Sequence, residues 1–159
     1  MTNSTKLVSI RRAKPNDAEV ISELIITVAK AQLRNEFTDD GWELFLRLIS
    51  KQTQQGLISD SQFCYWLAVV DGNIVGLLTS NAHFHLFHFF ILPDYQLCGV
   101  GKKLWTHYLF HLPPPPPQLI TVKASDFALQ FYEKLGFKAQ QPRCVENGLA
   151  YTLMHYVRH

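Results

Sequence analysis

The sequence predicts an α/β (α+β) fold in which a mixed, mostly antiparallel sheet of six to seven strands carries helices on both faces. Segments with apolar residues at helical spacing interleave along the chain with segments of alternating or continuous β-rich residues. The composition, with 47% hydrophobic and 18% charged residues, suits a buried core and excludes a disordered chain. A length of 159 residues fits one compact domain, so we expect a single domain over residues 1–159.

The first third of the chain predicts a strand followed by two helices. Residues 6–12 alternate roughly and suit the first strand. Pro15 and Asp17 are typical of a helix start, because proline suits the first turn and a short carboxylate accepts from its free N–H groups. Apolar residues follow at helical spacing over residues 21–28, and a second amphipathic stretch covers residues 39–56.

The middle of the chain predicts a hairpin and a central strand. Residues 63–70 and 74–79 are β-rich apolar runs, and the Asp-Gly pair between them is a strong hairpin signal. Residues 84–92 are dense in phenylalanine and apolar on both faces, which predicts a central strand covered on both sides. Pro93 limits how far this strand continues, because proline cannot donate to a sheet.

The last part of the chain predicts two more helices and three more strands. Leucine and aromatic residues at helical spacing predict a helix over residues 99–112. The five prolines at 113–117 end it, and we interpret them as a stiff connector rather than as a ligand for a polyproline-binding partner. The remaining elements, in chain order, are a strand at 119–123, a helix at 127–135 with Gly136 at its left-handed cap, and closing strands at 137–139 and 150–157.

Charge, cysteine content and hydropathy exclude several classes of function. A formal net charge of +2 without a dense Lys/Arg block argues against nucleic-acid binding. Cys64, Cys98 and Cys144 lack metal-ligand spacing, so we expect no metal and interpret them as reduced thiols. The N-terminus lacks the apolar core of a signal peptide, and the most apolar stretch is about half the length that spans a bilayer. We therefore expect a cytoplasmic protein that binds no membrane.

The segment most informative about chemistry is the turn between the central strand and the helix at 99–112. Gly99 and Gly101 lie at the start of that helix, where glycine lets the backbone approach a ligand closely. A helix N-terminus presents free N–H groups and the positive end of its dipole, and this arrangement binds phosphate. The turn is neither a P-loop, which needs a Gly-Lys-Ser/Thr, nor a dinucleotide fingerprint, because Leu104 stands where the third glycine belongs.

Three segments resemble signatures of the GNAT family of N-acetyltransferases. Residues 96–101 read Gln-x-x-Gly-x-Gly and resemble the family's Arg/Gln-x-x-Gly-x-Gly/Ala pyrophosphate signature. Residues 125–137 read Ser-x-x-Ala-x-x-Phe-Tyr-x-x-x-Gly-Phe and resemble its second signature, in which Asn is more common than Ser at the first position. Residues 10–18 read Ile-Arg-x-Ala-x-Pro-x-Asp-Ala, which is also typical. The resemblance covers nearly the whole chain and implies the GNAT-like acyl-CoA N-acyltransferase fold.

The resemblance implies acetyl-CoA as cosubstrate and a site that would hold it. Backbone amides of residues 97–102 would bind the coenzyme A pyrophosphate, and the backbone of Phe89 and Ile91 would pair with the pantetheine arm as an added strand would. That pairing requires the strand at 119–123 to splay away and leave a slot. The cofactor-binding residues carried over in this way are Phe89, Ile91, Gln96, Leu97, Cys98, Gly99, Val100, Gly101, Lys102 and Ser125.

The resemblance also implies two catalytic residues. Tyr132 falls on the family's tyrosine position, where a phenol near the sulfur can protonate the departing thiolate. A base is needed because an ammonium group must lose a proton before attack, and histidine titrates in the right range. His83, His85, His88 and water are candidates, and strict alternation would put His88 on the opposite face, although the family often bulges this strand. We choose His85, because some family members carry a histidine or glutamate there.

The leading hypothesis is transfer of an acetyl group from acetyl-CoA to a primary amine, by direct attack through a tetrahedral intermediate. We favour a small-molecule amine, because the chain lacks an acidic run that would bind polybasic tails. We expect acceptor recognition from residues 29–55 and 143–148. The alternatives are a protein N-terminus or lysine as acceptor, and a non-catalytic acyl-CoA-binding sensor. Homodimers are frequent in the family, so a homodimer is a further hypothesis.

Overall fold

The computed structural model describes residues 6–159, which contain five α-helices and eight β-strands. Among these helices, none is long and apolar enough to cross a bilayer. The strands are β1 (Val8–Arg12), β2 (Phe63–Val70), β3 (Asn73–Asn81), β4 (His85–Ile91), β5 (Leu119–Ala124), β6 (Lys138–Ala139), β7 (Cys144–Glu146) and β8 (Leu149–Val157). The helices are α1 (Ala18–Gln32), α2 (Asp39–Leu48), α3 (Lys51–Ile58), α4 (Val100–Phe110) and α5 (Leu129–Leu135).

The strands form one mixed sheet in the order β1-β2-β3-β4-β5-β8-β6, and β7 pairs with β8. Every pairing is antiparallel except that of β4 with β5, which α4 connects. The predicted mixed, mostly antiparallel sheet is therefore confirmed. The predicted count of six to seven strands is one short even at its upper end, because β7 has three residues and shows no period in the sequence.

Helices cover both faces of the sheet, as predicted. α4 and α5 pack on one face around buried residues such as Leu104, whereas α1, α2 and α3 pack on the other around residues such as Ile25. The side chains of β2 alternate between the two layers, with Trp66 on the α4 side and Leu67 on the α1 side. Such strands are apolar on both faces because both faces are covered.

The helix predicted at 99–112 ends at Phe110, and the helices predicted at 39–56 and 127–135 differ from the structure because of a serine side chain in each case. The stretch at 39–56 is two helices, because the hydroxyl of Ser50 accepts from the amide of Thr53 at 3.3 Å and caps a new helix, α3. α5 begins two residues later than predicted, because the hydroxyl of Ser125 accepts from the amide of Ala128 at 3.2 Å and holds a turn. Serine competes in this way for the backbone groups of a helix.

β4 contains a bulge at Phe87. Thr79 of β3 pairs with His88, whereas the next residue, Ser80, pairs with Leu86, so Phe87 has no partner on β3. The side chain of Thr79 stabilises the bulge, because its hydroxyl accepts from the amide of His88 at 3.0 Å. One extra residue reverses the alternation of the side chains that follow it.

The turn between β7 and β8 is tied to the start of α2. The amide of Thr38 donates to the carbonyl of Gly148 at 2.9 Å. Gly41 lies so close to this turn that a Cβ on it would overlap the carbonyl of Gly148. The two regions from which we expect acceptor recognition, residues 29–55 and 143–148, therefore touch.

Candidate active site

β4 and β5 are paired at one end and separate at the other. Only His85 with Thr121 and Leu86 with Val122 form pairs. The remaining residues of β4, 87–91, have no partner on β5, so their edge faces an opening in the middle of the sheet. This confirms the splay that was predicted for the strand after α4.

The backbone of Phe89 and Ile91 faces this opening. The amide of Leu92 donates to the carbonyl of Val75 at 2.8 Å, and successive residues of a strand direct their backbone groups to opposite edges. Phe89 and Ile91 therefore direct their N–H and C=O groups away from β3. The carbonyl of Ile91 accepts from the side-chain amide of Gln96 at 2.9 Å. The N–H and C=O groups of Phe89 and the N–H of Ile91 therefore face the opening.

The opening leads to the N-terminus of α4. Gly99 caps this helix with a φ of 85°, in the left-handed region, and Leu97 before it has a φ of 60°. The first three amides of a helix have no acceptor within it, so those of residues 100–102 are available to a ligand. A Cβ on Gly99 would have no atom within 4 Å, so the space beside the cap is open. Free amides, a helix dipole and open space together suit a phosphate group.

The opening and the loop form one cleft with a volume of about 350 Å³. Apolar side chains such as Phe90 and Phe131 make up most of its walls, and Lys102 and Lys134 supply positive charge. The structure brings together in this cleft most of the residues predicted to bind the cofactor. They are Phe89, Ile91, Gln96, Leu97, Gly99, Gly101, Lys102 and Ser125.

The side chains of Cys98 and Val100 do not line the cleft. Cys98 is exposed, and its thiol donates to the carbonyl of Gln96 at 3.2 Å. Val100 is 3% exposed and packs in the core under α4. These two predicted residues have only their backbone in the loop, which is the part that a phosphate would contact.

A reciprocal pair of amides joins Gln96 to Gln32, the last residue of α1. Nε2 of Gln32 donates to Oε1 of Gln96 at 2.8 Å, and Nε2 of Gln96 donates to Oε1 of Gln32 at 2.7 Å. The second N–H of Gln96 makes the bond to Ile91 already described. The side chain of Gln96 therefore braces the loop against α1 and β4, and its donors are used within the chain.

Tyr132 lies behind the cleft wall. It is 5% exposed, and its ring centre is 6.0 Å from that of Phe89 and 5.3 Å from that of Phe137. Burial raises the pKa of its phenol above the ordinary value, and no hydrogen bond offsets the effect. The phenol therefore keeps its proton at neutral pH.

His85 lies where β4 and β5 meet, outside the lining of the cleft. Its Nδ1 is 2.6 Å from the hydroxyl of Thr121 on β5. Burial, with a smaller contribution from Lys123, lowers the pKa of His85, so its imidazole is neutral near pH 7. His83 is exposed in the turn that precedes β4.

The bulge at Phe87 brings His85 and His88 to the same face of the sheet. Leu86 packs with α4 and α5, so its neighbour His85 faces the other side. The ring of His88 lies 4.8 Å from that of Phe87 and 5.9 Å from that of Phe90, which both pack on the α1 side. Strict alternation, which would separate the two histidines, is therefore wrong for this strand. Within residues 6–159, no group of three or more His, Cys, Asp or Glu side chains is placed to hold a metal ion.

The part of the chain that carries this geometry matches a known domain. The sequence profile of the acetyltransferase (GNAT) domain matches residues 33–158, which include the slot, the loop and both predicted catalytic residues. The chain belongs to the GNAT acetyltransferase family. Acetyl-CoA is the acyl donor of this family, and the slot, the amides of α4 and the open space at Gly99 fit it.

Solved structures of GNAT proteins share the fold. The GCN5-related N-acetyltransferase from Rhodopseudomonas palustris has a TM-score of 0.80 at 23% identity, with 99% of each chain covered. The PaiA N-acetyltransferase from Thermoplasma acidophilum, in complex with coenzyme A, has 0.82 at 18% identity, with 96% of this chain and 99% of that chain covered. The ribosomal-protein-S18-alanine N-acetyltransferase from Escherichia coli has a TM-score of 0.66 at 16% sequence identity, with 95% of this chain and 94% of that chain covered. Comparison with curated proteins gave no match.

The enclosed ring nitrogen Nδ1 of His88, whose side chain is half-buried, predicts a loss of stability of this GNAT domain in acid. This nitrogen is enclosed without a hydrogen-bond partner, and burial lowers the pKa of the imidazole to about 4. Unfolded histidine has a pKa of about 6.5, so below that pH the unfolded state binds the proton first and folding stability falls. We expect a loss of up to about 3 kcal/mol between about pH 6.5 and pH 4, measured by urea unfolding.

His88→Leu should remove most of this pH dependence, because leucine fills the site and does not titrate. His83→Leu, at an exposed position, is the matched control and should behave as the wild type does. Equal slopes of stability against pH in the wild type and in His88→Leu would contradict the assignment.

Two residues that position parts of the GNAT cleft were not predicted. Gln32 lies on the apolar face of α1 that residues 21–28 begin, and a polar residue on such a face is a signal that could have identified it. Glu36 accepts from the amides of Asp126 and Phe127 at 2.6 and 3.4 Å and ties the segment before α2 to the turn before α5. These partners are 90 residues away or more, so no local pattern indicates them.

Proposed function

We propose that this chain is an N-acetyltransferase that moves an acetyl group from acetyl-CoA to the primary amine of a small molecule. The observation that carries the proposal is that the slot between β4 and β5 runs into the free amides at the start of α4. The strand edge suits an extended arm that contains amide groups, and the helix end suits a diphosphate. Coenzyme A contains both parts in one molecule.

We assign the coenzyme A site to the residues of the cleft. The backbone of Phe89 and Ile91 would pair with the pantetheine arm, and the amides of residues 97–102 would bind the diphosphate. Lys102 lines the cleft and adds positive charge. Ser125 accepts from an amide of its own turn, so its hydroxyl hydrogen can be donated to a ligand.

We assign Tyr132 the role of returning a proton to the leaving group. Acetyl-CoA supplies an acyl group that a thioester sulfur activates. The amine displaces that sulfur, which needs a proton as the C–S bond breaks, and a protonated phenol can supply it. Tyr132 carries a proton throughout the neutral range, because a phenol ordinarily has a pKa of about 10 and burial raises that of Tyr132 further.

We assign His85 the role of the base that accepts the proton of the ammonium group, directly or through water. Its lowered pKa keeps the imidazole neutral. In the tautomer in which Nδ1–H donates to the hydroxyl of Thr121, Nε2 has no hydrogen and can accept the proton. We expect His85→Gln to lower kcat about tenfold at pH 7, with KM for acetyl-CoA unchanged. The deficit should shrink at high pH, where the amine loses its proton unaided.

A pH profile of kcat measures this effect, with His83→Gln as the control. If His85→Gln keeps the wild-type kcat across the profile, the role passes to His83 where His83→Gln loses activity, and otherwise to His88 or to water.

Contacts on the acceptor side favour a small amine over a polypeptide. The segment before α2 forms a bridge between Phe37 and Leu149 of β8, and Glu36 binds the amide of Asp126. Together with the bond from the amide of Thr38 to the carbonyl of Gly148, these contacts hold residues 29–55 against residues 143–148, the two regions from which we expect acceptor recognition, and against the turn before α5. Joined elements favour a closed acceptor site over an open groove, although a protein N-terminus or lysine is the alternative acceptor.

Calorimetric titration of acetyl-CoA, followed by a thiol-release assay, tests the proposal. The panel contains small primary amines and lysine-containing peptides. We expect binding, and thiol release with at least one small amine. Binding without release on the whole panel would favour the second candidate, a non-catalytic acyl-CoA sensor, and an absence of binding would contradict both. The presence of a tyrosine at position 132, the family's tyrosine position, favours the enzyme.

We also propose a reducing compartment such as the cytoplasm, because Cys64, Cys98 and Cys144 are all unpaired. A homodimer, frequent in the family, is part of the proposal as well. Light scattering that gave a strict monomer would exclude it.

A further inference from the structure

The open end of the slot between β4 and β5 needs a fixed width to hold an extended ligand. The two strands are parallel and separate after Leu86 and Val122, so their last residues, Ile91 and Ala124, lie on opposite sides of the opening. Neighbouring strands of a sheet lie about 5 Å apart, so an arm between two strands requires about twice that separation. Residues 87–91 of β4 form no pairs with β5 that could set this width. A contact outside the sheet has to set it.

The segment from Gln32 to Glu36 bridges the two sides of this opening. On the β4 side, the side chain of Gln32 exchanges two hydrogen bonds with that of Gln96, which also donates to the carbonyl of Ile91. On the β5 side, the carboxylate of Glu36 accepts from the amide of Asp126 at 2.6 Å, just beyond the end of the strand. One short segment is therefore attached to the ends of both strands.

This bridge, residues 32–36, has a defined internal structure. It continues α1 into a short 3-10 helix over Arg34–Glu36, in which the amide of Glu36 donates to the carbonyl of Leu33 at 2.8 Å. Leu33 within the bridge and Phe37 just after it are each 8% exposed, and they pack in one cluster with Ala29. Internal hydrogen bonds and buried side chains keep the length of the bridge fixed, so the separation of its two attachments is fixed as well.

The bridge lies across the cleft on the side of α1. Gln32 and Leu33 line the cleft from this side, and Phe131 lines it from the side of α4 and α5. The opening in the sheet therefore passes from one helix layer to the other, and the bridge spans it. Without the bridge, the unpaired edges of β4 and β5 are free to close on each other or to move apart.

We propose that Gln32 and Glu36 are positioning residues that set the width of the slot for the arm of acetyl-CoA. This inference rests on the proposed function, in which the arm lies along β4. Gln32 fixes the β4 side through Gln96, and Glu36 fixes the β5 side through the turn before α5. The two residues differ in one respect, because Gln96 leads into the loop that would bind the diphosphate, whereas the partners of Glu36 lie outside that loop.

Calorimetry with two ligands tests the proposal. Glu36→Ala should weaken acetyl-CoA about tenfold and leave the affinity for ADP within about twofold. ADP contains a diphosphate but lacks the arm, so it tests the loop at α4 without the slot. Gln32→Leu should weaken both ligands, because it removes the support of Gln96. Glu23→Ala, at an exposed position of α1, is the matched control and should bind both ligands as the wild type does.

A loss of fold stability would give a different result. The contacts of Glu36 are exposed, so water can replace the carboxylate and the unfolding temperature of Glu36→Ala should change little. Glu36→Gln keeps one acceptor oxygen and should recover part of the affinity for acetyl-CoA. The proposal would be overturned if Glu36→Ala bound acetyl-CoA as the wild type does, or if it weakened acetyl-CoA and ADP equally. An absence of acetyl-CoA binding in the wild type would contradict the proposed function, and this inference with it.

Discussion

Replacing Gly99 with aspartate should lower the affinity for acetyl-CoA at least 100-fold, which corresponds to about 2.7 kcal/mol. A side chain at Gly99 meets no atom within 4 Å, so it would project into the open space beside the amides of α4. Its carboxylate would compete for these amides and repel the diphosphate. Two like charges about 4 Å apart near a protein surface repel by about 4 kcal/mol. This repulsion is large enough to account for the expected loss in binding free energy.

Gly99→Asn is the matched control, because asparagine has nearly the same size and tolerates the left-handed region equally well but carries no charge. We expect it to lose no more than about tenfold in affinity. Calorimetry at low and high salt measures both variants, and the loss in Gly99→Asp should shrink at high salt. Equal losses in the two variants would mean that no phosphate lies near Gly99.

Replacing Tyr132 with phenylalanine should lower kcat about 100- to 1000-fold, with KM for acetyl-CoA nearly unchanged. The substitution keeps the ring that packs against Phe89 and Phe137 and removes only the hydroxyl. The departing sulfur then has to take its proton from water. Because the raised pKa keeps the wild-type phenol protonated, the wild-type rate should not fall between pH 7 and about pH 9.

Steady-state assays with thermal unfolding measure this effect, and Tyr108→Phe is the control. It alters a buried tyrosine of the same core that lies outside the cleft, so its kcat should stay near the wild-type value. If Tyr132→Phe also keeps kcat within twofold of the wild type, Tyr132 contributes packing alone.

Helices and strands in which a periodic apolar pattern extends over many residues could be predicted from the sequence. Interruptions within such a pattern could not. α1 and the β2–β3 hairpin follow from spacing and from one Asp-Gly pair. The break between α2 and α3 depends on a hydroxyl at Ser50 that serves as a cap, although the apolar spacing continues across it. β7 exists because it pairs with β8, and three residues contain too little pattern to show this.

In the candidate site, too, features with a local sequence pattern could be predicted and features that depend on distant residues could not. Gly99 and Gly101 could be found because a tight turn at the start of a helix limits which residue types can occupy its positions. The pair of Gln32 and Gln96 could not, because the two side chains are 64 residues apart. The face on which His88 lies depends on the bulge, which the pairing with β3 determines. Long-range contacts of this kind leave no local signal in one sequence.

The separation of β4 from β5 gives the sheet an edge inside the molecule. The N–H and C=O groups at a strand edge lack hydrogen-bond partners within the sheet. Here an acyl donor bound along Phe89 would supply those partners. On the proposed function, the donor therefore takes part in the folding equilibrium. A ligand at one hundred times its Kd adds about 2.7 kcal/mol, a large share of the roughly 5–15 kcal/mol that holds a domain folded. The lifetime of the protein in the cell would then follow the supply of its own substrate, and a shortage of acyl donor would reduce the enzyme together with its reaction.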